Sequence, residues 1–177
     1  MKLKNKMEGD IIFNTSNNSI EEVINILNEF GIKKDSKIFL YTVKEKREYF
    51  IIKLLNLISN IDKVVLNNYI NVCDAFQVYK KMVLDDKDIS NFINAYNKII
   101  NSNIYITEHD ESILKSSVWN DYIDYILLDH EDISEASEYI IIYNFDNLVE
   151  VSTYSKAEIL IKFKEYNQKY NTKFLLF

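Results

Sequence analysis

The stretch of the chain best placed for chemistry is a polar turn, residues 14–20, between an apolar run and a helical segment. A strand-to-helix turn binds phosphate when glycines let backbone amides approach the oxygens and a lysine reaches the β- and γ-phosphates. This turn, Asn-Thr-Ser-Asn-Asn-Ser-Ile, has neither glycine nor lysine. We therefore expect no working phosphate-binding loop. The helix dipole above Asn17, Asn18 and Ser19 leaves a residual nucleotide site as an alternative.

Both histidines lie in acidic clusters, which is a pattern that could bind a divalent metal. His109 lies in residues 108–111 (Glu-His-Asp-Glu) and His130 in residues 129–132 (Asp-His-Glu-Asp). Imidazole and carboxylate ligands suit Mn or Zn if both clusters lie at the C-terminal ends of strands. The spacing matches no metal motif, and acidic turns beside a helix start are usually solvated. We expect no metal and keep His109 and His130 as weak candidates.

Aromatic residues supply candidates for a contact surface. Trp119 is the only tryptophan and lies close to Tyr122. Core packing is the first interpretation of this pair, and an aromatic interface anchor is the second. The stripe formed by Phe92, Tyr96 and Ile100 has helical spacing and is expected in the core. No local signature brings a serine, a histidine and an aspartate together, so a hydrolase is not predicted.

The elements that must position these residues alternate between strands and helices. Ser19 and Ser155 each begin a capping box with a glutamate three residues later, and Gly31 is expected as the left-handed residue after the first helix. Predicted strands cover residues 10–14, 37–43, 103–107, 138–145 and 173–177, with 62–67 ambiguous. Predicted helices cover 19–30, 45–59, 71–84, a segment from 88, a segment around 119–127, and 155–170. This alternation predicts a three-layer α/β domain, with a mostly parallel sheet covered by helices on both faces.

Length and charge exclude several classes of function. The 177 residues are enough for one domain, and residues 1–8 are expected to be a flexible N-terminal segment. The net charge of −6 and the absence of a strong basic block argue against direct nucleic-acid binding. No signal peptide or long apolar run is present, and Cys73 is the only cysteine, with packing in the core as its expected role. We expect a cytoplasmic protein with no membrane contact.

In order and spacing, the chain resembles the RecA-like ATPase core of bacterial replicative DNA helicases, the DnaB family. The resemblance runs from about residue 9 to residue 177. Residues 9–12 (Gly-Asp-Ile-Ile) resemble the lead-in to that family's first core strand, and 139–148 resemble the Walker B strand. Further similar segments are the strand end 41–44, the acidic helix start 84–88, the strand 103–107 and the closing strand 173–177. A RecA-like sheet would place the first strand centrally, beside the Walker B-like strand.

The resemblance also implies that the catalytic positions have been lost. The family's catalytic glutamate falls on Lys44, and its Walker B aspartate falls on Tyr143 or Asn144, with Asp146 too late in the sequence. The chain ends where the family would continue to an arginine finger and DNA-contacting loops. No cofactor is expected, and ATP hydrolysis is not expected.

Two functions follow from this reading. The first is a non-catalytic RecA-like pseudo-ATPase that acts by protein contact with a replicative helicase, a helicase loader or its own copies. The second is a small acidic inhibitor, of immunity or anti-defence type, on a generic α/β scaffold.

Overall fold

The computed structural model describes residues 11–13, 19–61, 86–109, 121–131 and 138–177. The strands are β1 (Ile11–Phe13), β2 (Ile38–Val43), β3 (Ile104–His109), β4 (Tyr139–Tyr143) and β5 (Lys173–Leu176). The helices are α1 (Ser19–Ile26), α2 (Arg47–Ser59), α3 (Asp86–Ile100), α4 (Tyr122–Glu131), α5 (Phe145–Val151) and α6 (Lys156–Tyr170). A π-helical segment, Leu27–Ile32, continues α1. The predicted segments 62–67 and 71–84 lie outside the described residues.

The described strands form one sheet in the order β1-β5-β4-β2-β3, and every neighbouring pair is parallel. The predicted parallel α/β sheet is therefore confirmed. The expectation that the first strand lies beside the Walker B-like strand is wrong. Strand β4 pairs with β2 through Thr42 and Tyr143 and with β5 through Ile142 and Leu176. Because both sides of β4 are occupied, β1 pairs with β5 at the edge of the described sheet.

Helices cover both faces of the sheet, because each strand is buried on both sides. In β2, Ile38 and Leu40 face α1 and α2, whereas Tyr41 and Val43 face the layer formed by α4, α5 and α6. The second layer contains Phe163 of α6, whose ring stacks on that of Phe174 with centroids 4.3 Å apart. Burying one such side chain contributes about 1.5–3 kcal/mol. The two apolar layers confirm the predicted three-layer architecture.

Gly31 has a different role from the predicted one. It lies inside the π-helical segment, which ends at Lys33 with right-handed backbone angles, so Gly31 is not a left-handed cap. A Cβ at residue 31 would stand 2.5 Å from Cγ1 and Cδ1 of Ile104. The glycine is therefore needed because the helix backbone approaches β3 closely.

Helix α3 buries a different face from the one expected. Ile93, Tyr96 and Ile100 are 37%, 48% and 56% exposed. Ala95 is buried and Ile99 packs against the core, so the inward line of the helix runs through these two residues. The prediction failed because apolar residues cover more of this helix than the single side that contacts the domain.

Two helix starts show how local sequence sets the boundaries. At α6 the capping box is confirmed: Ser155 Oγ accepts from Glu158 N at 3.3 Å, and Ser155 N donates to Glu158 Oε2 at 2.7 Å. The predicted strand 138–145 ends earlier, at Tyr143, because Asn144 adopts a left-handed conformation and begins α5. Helix α5 was not predicted. The Ser19 side chain lies outside the described part of the chain.

Candidate functional site

The ends of β2 and β4 bring together the two positions at which catalytic carboxylates were expected to be lost. Thr42 lies opposite Tyr143 in the parallel register, so Lys44 and Asn144 follow neighbouring strands at the C-terminal edge of the sheet. Both residues have left-handed backbones with φ of 61°. Ligands of open parallel sheets bind at this edge, outside the carboxyl ends of the strands. The candidate site is defined by this pair and its neighbours.

Asn144 links the two strands. Its Nδ2 donates to the backbone oxygen of Val43 at 2.7 Å, and the following residue, Phe145, donates its backbone N–H to Phe177 O at 2.7 Å. Asparagine tolerates the left-handed region better than most residues, because its short polar side chain can form local hydrogen bonds. The side chain at the Walker B-like position is therefore part of the internal structure of the sheet edge.

Lys44 occupies the position of the family's catalytic glutamate as an exposed cation. A lysine in the left-handed region costs about 1–2 kcal/mol relative to a right-handed one. The turn around it is fixed by Thr42, whose Oγ1 donates to Glu45 O at 2.7 Å. Beside this turn, Glu108 of β3 accepts a hydrogen bond from Arg47 N at 3.2 Å, which places its carboxylate at the positive end of α2. That carboxylate serves as a helix cap.

An aromatic and ionic cluster lies next to the degenerate phosphate turn. Phe13, 48% exposed, ends β1 and meets Phe145 edge to face, with ring centroids 6.2 Å apart. Lys156 Nζ lies 5.8 Å from the Phe13 centroid and 5.4 Å from the Phe145 centroid. The same ammonium pairs with Asp146 at 2.8 Å, so the aspartate that comes late in the Walker B-like stretch is engaged in a surface ion pair. Asn17 and Asn18 lie outside the described residues.

The other predicted candidates are not brought together at this edge. Tyr122 is only 5% exposed and packs in the core layer of α4 to α6, so its prediction as an interface anchor is wrong. His109 ends β3, but His130 lies in α4, so the condition of two strand-end metal clusters is not met. Trp119 and the side chains of both histidines lie outside the described part. Among the described residues, no group of three histidine, cysteine or carboxylate side chains is arranged to hold a metal ion.

Asp121 is a buried carboxylate that the motif search did not select. It is 5% exposed and accepts hydrogen bonds from Ile123 N at 2.9 Å, Ser152 Oγ at 2.9 Å and Thr153 Oγ1 at 2.8 Å, and also from Thr153 N. Burial by itself raises the pKa of Asp121, but the bonds from Ile123, Thr153 and Ser152 outweigh burial and hold the pKa below its usual range. Its place before an apolar-periodic helix was the available signal, since aspartate is a preferred N-cap.

A second polar cluster joins α4 to α6. Asp124 accepts from Lys162 Nζ at 2.9 Å and from the Tyr154 hydroxyl at 2.8 Å. The hydrogen bond from Lys162 to Asp124 raises the pKa of Lys162, and the bond from Tyr154 to the same carboxylate raises the pKa of the tyrosine. These groups stabilise one another's charged or bonded forms and are oriented within the layer, so we assign them a structural role.

Two solved structures share this fold. One is a DnaB-like replicative helicase, described together with its interactions with primase. It has a TM-score of 0.62 and 12% identity, and the match covers 97% of this chain and 38% of that one. The other is the ATPase domain of a different protein, with a TM-score of 0.62, 12% identity, and coverage of 94% of this chain and 54% of that one. No family model and no curated protein matches the chain.

The fold is therefore that of a DnaB-like RecA core: α/β, with a parallel sheet between helical layers. The chain spans less than two thirds of the length of either structure that it matches. Within the described ranges, every helix is too short or too polar to cross a bilayer.

Proposed function

We propose that this protein is a catalytically inactive DnaB/RecA-like pseudo-ATPase domain that acts in the cytoplasm through protein contact. Its partner would be a replicative helicase, a helicase loader or a second copy of the chain. The observation that carries the proposal is the pair Lys44 and Asn144 at adjacent strand ends of a RecA-like sheet. The fold supports the frame of an ATPase, and these side chains argue against its chemistry.

Neither side chain can replace the carboxylate expected at its position. An ammonium at residue 44 cannot accept a proton from an attacking water, which a catalytic glutamate would do. An amide at residue 144 carries no charge for magnesium, which prefers carboxylates, phosphates and water. The Asn144 Nδ2 also holds Val43 O at 2.7 Å, so turning the amide outward would break a bond between the strands.

Nucleotide titration tests the loss of chemistry. We expect no heat on adding millimolar ATP or GTP with magnesium, and no phosphate release. The double variant Lys44→Glu/Asn144→Asp returns both carboxylates and is expected to stay inactive, because the turn at residues 14–20 still has no glycine and no lysine. Phosphate release by the unmodified protein would refute the proposal. Binding without hydrolysis would instead support the residual nucleotide site.

Direct association measurements test the protein contact. The immobilised protein would be presented with a purified replicative helicase and, separately, with a helicase loader, while light scattering reports self-association. We expect saturable binding to one of these three partners. If all three fail to bind at tens of micromolar, the contact half of the proposal is wrong.

The net charge of −6 favours a second candidate, a small acidic inhibitor of immunity or anti-defence type. Such a protein would bind a basic partner at a rate that falls steeply with ionic strength. A helicase contact made through apolar α/β faces would change far less with salt. Association rates at 50 and about 300 mM salt therefore separate the two candidates.

A further inference from the structure

A groove of about 630 Å³ lies between α1 and α2. Its volume falls within the range of small-ligand sites, about 300–1,000 Å³. Residues at helical spacing on the two facing helices line it, so its walls are rigid elements. The described lining residues are Glu21, Ile24, Asn25, Lys53, Asn56, Leu57, Asn60 and Ile61.

Asn56 carries an unsatisfied acceptor in the wall of this groove. The residue is 8% exposed, and its Oδ1 is shielded from solvent and has no hydrogen-bond partner. A buried polar atom without a partner costs free energy, because it has given up its bonds to water and gained none in return. Such an atom is uncommon in a folded protein and requires an explanation. A donor brought by a ligand would supply one, after a modest rotation about χ2, a torsion with a broad energy profile.

The rest of the groove determines which donor fits. Lys53 Nζ pairs with Glu21 at 3.5 Å and lies 4.9 Å from the centroid of the Tyr49 ring. Because an acid already balances the lysine, the groove offers no surplus charge for phosphate or another small anion. Leu57 is 45% exposed, which leaves an apolar surface beside the orphan acceptor.

We propose that this groove binds an extended peptide segment of a partner protein. A backbone N–H of the segment donates to Asn56 Oδ1, and an apolar side chain covers Leu57. The exposed amides of Asn25 and Asn60 match the peptide groups that would flank this contact. The inference builds on the proposed function, because it names a surface through which protein contact is made.

Two short peptides test the hydrogen bond directly. The first probe is Ac-Gly-Leu-Gly-NHCH₃, and the second is the same peptide with the leucine nitrogen methylated, so that it has lost that donor. In ¹H–¹⁵N NMR titrations we expect saturable shifts centred on Asn56 and Leu57, and at least tenfold weaker binding of the methylated probe. Equal affinity of the two peptides, or larger shifts with inorganic phosphate, would overturn the inference.

The variant Asn56→Leu separates a binding role from a structural one. Removing an orphan acceptor relieves the fold, so we expect Tm to rise by about 2–4 °C while peptide binding weakens at least tenfold. The control Asn94→Leu makes the same change on the exposed side of α3 and should alter neither. A lower Tm with binding intact would overturn the inference. Helicase capture unaffected by Asn56→Leu would do the same while leaving the proposed function standing, whereas absent capture by the unmodified protein would contradict the function itself.

Discussion

Replacing Asp121 with asparagine removes one negative charge from a buried carboxylate that joins two parts of the chain. The carboxylate caps α4 through Ile123 N and holds the segment between α5 and α6 through Ser152 and Thr153. Asparagine caps a helix as well as aspartate does, so the bond from Ile123 N can persist. The NH₂ group that replaces the other oxygen faces the Thr153 N–H, which is a fixed donor and loses its acceptor.

The magnitude follows from these bonds. A hydrogen bond to a charged group contributes about 1.5–3 kcal/mol, and leaving a buried donor unpaired adds its own penalty. We expect Asp121→Asn to lower the free energy of unfolding by about 2–3 kcal/mol. Asp121→Ala also removes the cap and should cost about 1 kcal/mol more.

The effect must depend on pH, because the pKa of Asp121 is lower in the folded protein than in the unfolded chain. The stabilisation is fully present above the unfolded pKa, about 3.9, and is lost as the pH falls through the lower folded value. The difference between the unmodified protein and Asp121→Asn should therefore be largest at neutral pH and shrink below about pH 4.

Urea unfolding at pH 7 and at about pH 3, followed by circular dichroism, measures both effects. The matched control is Asp146→Asn, whose side chain is 84% exposed and ion-paired at the surface, so its effect should stay below about 1 kcal/mol. If Asp121→Asn matches this control, or if its effect is the same at both pH values, the role assigned to the buried carboxylate is wrong.

Three further substitutions test the packing and caps by urea unfolding. Gly31→Ala should cost about 1–3 kcal/mol because its Cβ would overlap Ile104, and Ile104→Ala in the same chain should relieve much of that cost; strictly additive effects would exclude the clash. Asn144→Gly should cost about 1 kcal/mol for the lost bond to Val43. Asn144→Ala should cost about 1–2 kcal/mol more because alanine is strained at φ 61°, and equal effects would contradict this. Ser155→Ala should cost about 1 kcal/mol through the lost cap, and an unchanged urea midpoint would argue against the box.

Much of the fold could be predicted because its signals are local. The capping box at Ser155 gave the start of α6, and the apolar runs gave β2 and β5 to within a residue or two. Left-handed Asn144 and the short α5 were missed, since a run from residue 138 to 145 with high strand propensity does not reveal where tertiary contacts end it.

The candidate site was only partly predictable. The resemblance selected Lys44 and Asn144, but it could not show that the Asn144 amide is bonded to Val43, because more than 100 residues of sequence lie between them. The exposed stripe of α3 and the buried Tyr122 were assigned to the wrong environments. Periodicity shows that a helix has an apolar face, whereas contact with neighbouring elements decides which side is covered.

The sequence by itself determined which chemistry is missing, because a turn without glycine or lysine and a lysine at residue 44 are properties of composition. It also determined the alternation of strands and helices, since backbone propensity and caps act over a few residues. Only the tertiary structure decided that β1 pairs with β5, that Gly31 allows a close approach to Ile104, and that Asn56 is left without a partner. Those outcomes depend on which distant atoms share a small volume, and close packing rather than local pattern settles that competition.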